Sequence, residues 1–243
     1  MNGVSDTSFA NETHQLLVSI YRHLYVTKGG VVKYQEKPMT VDIGNFYRSR
    51  KEHLVYYVLR DVFSGNFIFA VVTTQNMLPL LDFLYFGWKK DKEEDHFWGL
   101  PQRLSVPKRI SSPELIAGLQ HLGVEPFHPS SGFASGMRIL RDLEENLCCY
   151  ALGRSAIHSL ATVQKCKSSV YQFILEGTGK INRINLWRNS LPPGYPREAP
   201  DYETFKGFFP VPGEDKPGLP LFGFPAGGNA TETKPRLPDF LDS

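Results

Sequence analysis

Cysteine is scarce in this chain: 243 residues carry three, Cys148, Cys149 and Cys166, with no CxxC spacing. An odd, unspaced set supports neither a disulfide framework nor a zinc site, and a reducing, cytoplasmic setting is the expectation. Long apolar runs are missing too, since none approaches the roughly 18 residues that a membrane-spanning helix needs. The start, MNGVSDTSFANETHQ, has no basic region followed by an apolar core. Neither secretion nor a membrane partner is expected, and the glycosylation-like NAT at Asn229 reads as a chance match. Charge of one sign is also lacking: 27 Lys and Arg stand against 25 Asp and Glu. A net charge of +2 is too small to advertise a polyanion partner, so any such claim rests on local clusters.

Several catalytic signatures are absent as well. The seven histidines show neither HxxxH nor HExxH spacing, so His96, His121, His128 and His158 do not suggest a metal site. Ser64 sits in FSGN rather than in GxSxG, and PAGGNAT lacks the GK[ST] of a phosphate-cradling loop.

What is present is a core-forming sequence with 41% hydrophobic residues, enough for one large domain with appendages. In residues 9–26, Leu16, Leu17, Ile20, Leu24 and Tyr25 recur at three-to-four spacing, which predicts an amphipathic helix ended by TKGG and a helical segment over 1–30. From Val31 the pattern is that of strands: VVKYQ, TVDIGNFY, LVYYVLRDVF and NFIFAVVTT, with Gly65 and Asn66 supplying a tight turn between the last two. Three consecutive antiparallel strands are expected there. TTQNMLPLLDFLYFGWKK predicts a buried helix, with Thr74 or Asn76 as cap and Pro79 in its first turn. FWGLPQRLSVP predicts a fourth strand. SSPELIAGLQHLG predicts a helix capped by Ser112, with Pro113 at its first position and Gly123 beyond its end, and VEPFH a fifth strand.

Residues 135–175 are helical in pattern, interrupted near Gly153, and 151–189 form a helical, basic extension. After about Asn189 the composition shifts: 190–243 hold 11 of the 18 prolines and seven of the 21 glycines, which predicts an irregular, extended tail. No internal repeat is visible.

The order of strands and helices over 31–150 resembles the ribonuclease H-like fold. TVDIGNFYRSRKEHLVYYVLRDVFSGNFIFAVVTT is similar to the opening of a retroviral integrase or DDE transposase core, in which the first strand carries an Asp. The resemblance implies an α/β protein with a mixed five-stranded sheet flanked by helices. It also implies polynucleotidyl transfer by three carboxylates that converge on two divalent metal ions. Asp42 matches the first acid. The second belongs near Ser105 or Val106, where no acid occurs between Pro101 and Pro113. The third belongs near Met137, Arg138 or Ile139, with Asp142 and Glu145 one and two helical turns after Arg138.

Asp42 therefore reads as the surviving acid of a lost metal site, with no cofactor expected. The expected function is that of a catalytically degenerate integrase-like protein, a nucleic-acid-binding or accessory subunit of a mobile-element or related system. One alternative is an active two-metal nuclease or transposase that uses Asp42, Asp61 and Asp142 with Mg²⁺ or Mn²⁺. Another is a module that binds only protein. DNA is the expected partner through Arg48, Arg50, Lys51, Lys165, Lys167, Lys180, Arg183 and Arg188, with Tyr171 and Trp187 interleaved. The tail segments FKGFFPVPG, LPLFGFP and LPDFLDS read as a docking arm for a protein partner, and the pattern leaves room for a homo-oligomer.

Overall fold

The computed structural model describes residues 7–90, 96–129, 145, 161–162, 180–210 and 221. They form an α/β structure around one mixed, open sheet flanked by helices. The central strand β1 runs over Thr13–Val26. It pairs antiparallel with β3, Glu52–Asp61, which pairs antiparallel with β4, Phe67–Thr73. On its other side β1 pairs parallel with β5, Arg103–Ser105, and β5 pairs parallel with β6, Glu125–Phe127. β2, Val31–Tyr34, and the two-residue β7, Ala161–Thr162, extend the far end.

The segment expected to be a helix over 9–26 is thus a strand, and it occupies the middle of the sheet. The spacing misleads because buried Leu16, Ile20 and Leu24 stand four apart, a step that fits a strand period of two as well as one helical turn. The ladder with β3 is interrupted within the strand: Ile20 pairs with Val55, and the next paired residue, Tyr25, with His53. His14, Leu16, Val18 and Ile20 keep the period of two and are buried, and beyond the interruption Leu24 and Val26 are buried in turn.

A second correction concerns TVDIGNFY. It is not a strand but a turn followed by a short 3₁₀ helix, Phe46–Arg48. Asp42 accepts a hydrogen bond from the Gly44 amide at 2.9 Å, while the Asp42 amide donates to Asn45 Oδ1 at 2.8 Å. Such local side-chain bonds offer the backbone an alternative to ladder pairing.

Helix α1, Leu80–Trp88, is buried on nearly all sides, with Leu80, Leu81, Phe83, Leu84 and Trp88 in the core. It starts later than its sequence pattern suggests, with Pro79 rather than Thr74 or Asn76 at the cap. Gly87 lets it approach the sheet, for a Cβ there would lie 2.5 Å from Ile68 Cδ1 and 2.7 Å from Leu59 Cδ2. Helix α2, Pro113–His121, matches expectation: the Leu115 amide donates to Ser112 Oγ at 3.1 Å, and Gly123 follows with a φ of 69°.

Two further helices close the core from the C-terminal side: α3, Lys180–Asn189, and α4, Tyr202–Gly207. Phe205 and Phe209 of FKGFFP are buried, with Phe205 5.3 Å from the Tyr85 ring and Phe209 over Gly118. Burying two phenylalanines contributes about 2–3 kcal/mol each from apolar area. Residues 190–210 therefore wrap onto their own body, and Phe205 and Phe209 do not form a free docking arm. LPDFLDS, most of LPLFGFP and most of the helical pattern over 135–175 lie outside the described residues, and within that pattern Ala161–Thr162 is not helix but strand β7.

Candidate functional site

The three acids singled out in the sequence are not brought together. Asp42 lies in its surface turn, with its side chain 37% exposed, and forms an ion pair with Arg109. Asp61 is buried at the end of β3. Its carboxylate accepts hydrogen bonds from the amides of Asn11 and Ser64, each at 2.8 Å, and from Ser64 Oγ at 2.5 Å. This is a turn-closing carboxylate. Burial holds its pKa above the usual carboxylate range, although the three donors oppose that shift. Asp142 lies outside the described residues, as do Arg138, Lys165 and Lys167.

Around Asp61 a closed polar network ties four parts of the chain together. Its hub is Asn11, whose φ of 64° is in the left-handed region. Asn11 Oδ1 accepts from Trp187 Nε1 at 2.8 Å and from His14 Nε2 at 3.0 Å, and Asn11 Nδ2 donates to the Trp98 carbonyl at 2.8 Å. Trp88 Nε1 donates to His14 Nδ1 at 3.0 Å. That bond fixes the tautomer: Nδ1 accepts, so the proton sits on Nε2 and the ring is neutral. Burial accordingly lowers the His14 pKa to about 3. Asp61 Oδ1 lies 3.8 Å from His14 Nε2, too far for a hydrogen bond. The network is saturated, which suits it to holding α1 and α3 against the sheet.

The opposite face of the same strands is different. Register sets Gln15 opposite Arg60 on β3 and opposite Ser105 on β5, with Phe67 beyond Arg60 and Phe127 beyond Ser105. One row of side chains thus crosses five strands on one face, with neighbours about 5 Å apart. Gln15 and Ser105 are 0% exposed. Among the described residues, Gln15 Oε1 and Nε2, Ser105 Oγ, and Arg60 Nε and Nη1 are buried without a hydrogen-bond partner. Arg183 of α3 reaches the same place, its guanidinium 5.2 Å from the Phe67 ring centre and its Nε also unpartnered. The two arginines flank the β3–β4 turn: a Cβ at Gly65 would lie 3.7 Å from Arg183 Cδ and 3.8 Å from Arg60 Nη2.

Neither arginine makes an ion pair among the described residues. Burial lowers the pKa of both, and Arg183 lowers that of Arg60 further, while Asp61 raises it. By contrast Arg103, on the same face, donates to Glu12 Oε1 at 3.2 Å and Thr13 Oγ1 at 3.1 Å.

No family model matches the chain, and neither does any curated protein.

The row is a poor divalent-metal site. Mg²⁺ and Mn²⁺ favour carboxylate oxygens, and the side chains here are an amide, a hydroxyl and a guanidinium. Among the described residues, no group of three His, Cys, Asp or Glu could hold a metal ion. No described helix is long and apolar enough to cross a membrane.

The basic residues expected at a nucleic-acid interface fall at two ends of the sheet. Exposed Arg48 and Arg50 precede β3, with Lys51, whose Nζ stands 4.2 Å from the Tyr25 ring centre. Arg183 stands near the other end of β3, roughly 30 Å away along a ten-residue strand. Lys180 and Arg188 share α3 with it. Trp187 faces the core and is not available for base stacking.

Sequence reasoning passed over Gln15 and Arg60, because the segment holding Gln15 reads as a helix and Arg60 as an ordinary strand polar residue. The signal was there in principle: an Arg inside LVYYVLRDVF is a charge in a strand buried on both faces. A further pair was also missed. Ser49 Oγ and His53 Nε2 stand 2.7 Å apart, but the Ser49 oxygen also accepts from the Lys51 amide, and buried His53 Nδ1 has no orienting partner among the described residues. It lacks the third member of a nucleophilic triad.

Proposed function

We propose that this chain is a catalytically degenerate integrase-like protein on a ribonuclease H-like scaffold, which binds nucleic acid as an accessory subunit of a mobile-element or related system. The supporting layout is three antiparallel strands followed by alternating helices and strands, here β1, β3, β4, α1, β5, α2 and β6. The observation that carries the reading is the pairing of Gln15 with Ser105. On such a scaffold the first acid stands on the first strand and the second at the end of the fourth. β1 contains no Asp or Glu, and its partner at the end of β5 is a serine. Asp42, off the sheet and paired with Arg109, does not supply the missing charge. Arg60 and Arg183, without an ion pair among the described residues, support affinity for a polyanion instead.

The test is fluorescence anisotropy of labelled duplex DNA over roughly 50–200 mM salt. Affinity should fall with salt, and Arg183→Gln with Arg188→Gln should reduce the slope by about two, near 0.9 for each phosphate no longer neutralised. Binding that ignores salt sinks the proposal. So does Mg²⁺-dependent strand cleavage that Asp42→Asn abolishes.

A further inference from the structure

We infer that Arg60, Arg183, Gln15 and Ser105 form a binding site for a phosphate group at the β3–β4 end of the sheet. Four observations converge on it. First, the unpartnered atoms are nearly all donors: Arg60 Nε and Nη1, Arg183 Nε, Gln15 Nε2 and Ser105 Oγ, with Gln15 Oε1 the one pure acceptor. Buried donors without acceptors are rare in folded proteins because each forfeits its hydration, and a set of them on one sheet face matches a ligand rich in acceptor oxygens. Second, Gln15 and Ser105 are fully enclosed whereas Arg60 and Arg183 are only half-buried, so the row has an open end at its cationic side.

Third, the two arginines crowd one turn without an ion pair among the described residues, and their mutual repulsion is relieved by an anion between them. Guanidinium groups bind phosphate through paired N–H donors, in a planar geometry that a Lys cannot reproduce. Fourth, the competing carboxylate is already occupied. Asp61 lies on the opposite face of β3 and accepts three hydrogen bonds there, so it does not neutralise the arginines by contact. Phe67 supports the Arg183 guanidinium from below, holding it over the turn.

The site does not require the nucleic-acid reading, because a terminal phosphate, a backbone diester and free phosphate share the chemistry. Calorimetric titration of the full chain with inorganic phosphate in low-chloride buffer reads it directly. A 5′-phosphorylated oligonucleotide and its unphosphorylated counterpart distinguish the sources. Phosphate should bind and raise the thermal midpoint. Arg183→Gln, at a half-buried position, should weaken that binding roughly tenfold or more, and Arg60→Gln at least as much, as expected when a charge-assisted hydrogen bond is removed. Arg109→Gln should leave it unchanged.

No phosphate binding, or binding that survives both Arg60→Gln and Arg183→Gln, overturns the inference. If Arg60→Gln does not fold, Arg183→Gln alone decides. Phosphate binding without affinity for duplex DNA would leave the site standing and remove the proposed function. Salt-dependent DNA binding without any binding of phosphate would do the reverse.

Discussion

His14 and Gln15 are neighbours on β1, equally buried, and point to opposite faces of the sheet. Below the sheet, His14, Asn11, Asp61, Trp88 and Trp187 join in a network that satisfies both His14 ring nitrogens and both Asp61 oxygens. Above it, among the described residues, Gln15 satisfies neither side-chain atom, and Ser105 and Arg60 leave further donors unused. The difference is between polar groups that hold a fold and polar groups left over for something else. A saturated network rigidifies the elements it joins, whereas an unsatisfied row costs stability and is retained only if another benefit offsets it. The same contrast separates the two acids of the sequence, since Asp61 closes a turn within the network while Asp42 makes a surface ion pair.

The comparison can be broken most forcefully at Asn11. Asn11→Ala removes the acceptor of His14 and Trp187 together and sets a Cβ-bearing residue without local bonds at positive φ. A loss of about 3–5 kcal/mol is expected in urea unfolding, from two orphaned buried donors plus backbone strain. A loss below about 1 kcal/mol would show that the network is not what holds α1 and α3.

A smaller effect belongs to His14 and depends on pH. Its pKa is lowered from 6.5 to about 3 in the folded chain, so the unfolded chain takes up the proton first as pH falls. Its contribution is intact above pH 6.5 and is lost between there and about 3, at up to roughly 1.4 kcal/mol per pH unit. Asp61, with a raised pKa, acts with the opposite sign from pH 3.8 upward, so the measurement is the difference between wild type and His14→Gln from about pH 7 to 5. His14→Gln should flatten that slope. Parallel curves would mean that His14 is charged, or readily hydrated, in the folded state.

The smallest effect tests the other face. Gln15→Met keeps the volume and removes two unpartnered polar atoms, and in phosphate-free buffer it should raise stability by about 1 kcal/mol. A clear destabilisation would mean that Gln15 is already satisfied, and the contrast between the faces would fail.

Much of the fold was legible where one local rule decided it. Ser112, Pro113 and Gly123 bounded α2, Gly65 and Asn66 marked the β3–β4 turn, and the all-round apolar run made α1 a buried helix. β1 was misread because Leu16, Ile20 and Leu24, four apart, satisfy the strand period and one helical turn alike. The Asp42 segment was misread because β-branched and apolar residues outvoted an Asx turn. The tail shows a third kind of error. Its proline content was real, yet prolines do not prevent Phe205 and Phe209 from reaching a core that sequence-distant residues have built.

For the site, residue chemistry alone singled out Arg183 but attached it to a diffuse basic segment, and it favoured Asp42 for its motif. Composition and local pattern by themselves determined an α/β core with its principal turns and caps, because those depend on residues within a few positions of one another. Which buried polar atoms found partners was decided only in three dimensions. That outcome depends on strand register, and register brings Gln15, Arg60 and Ser105 into one row from three distant stretches of chain.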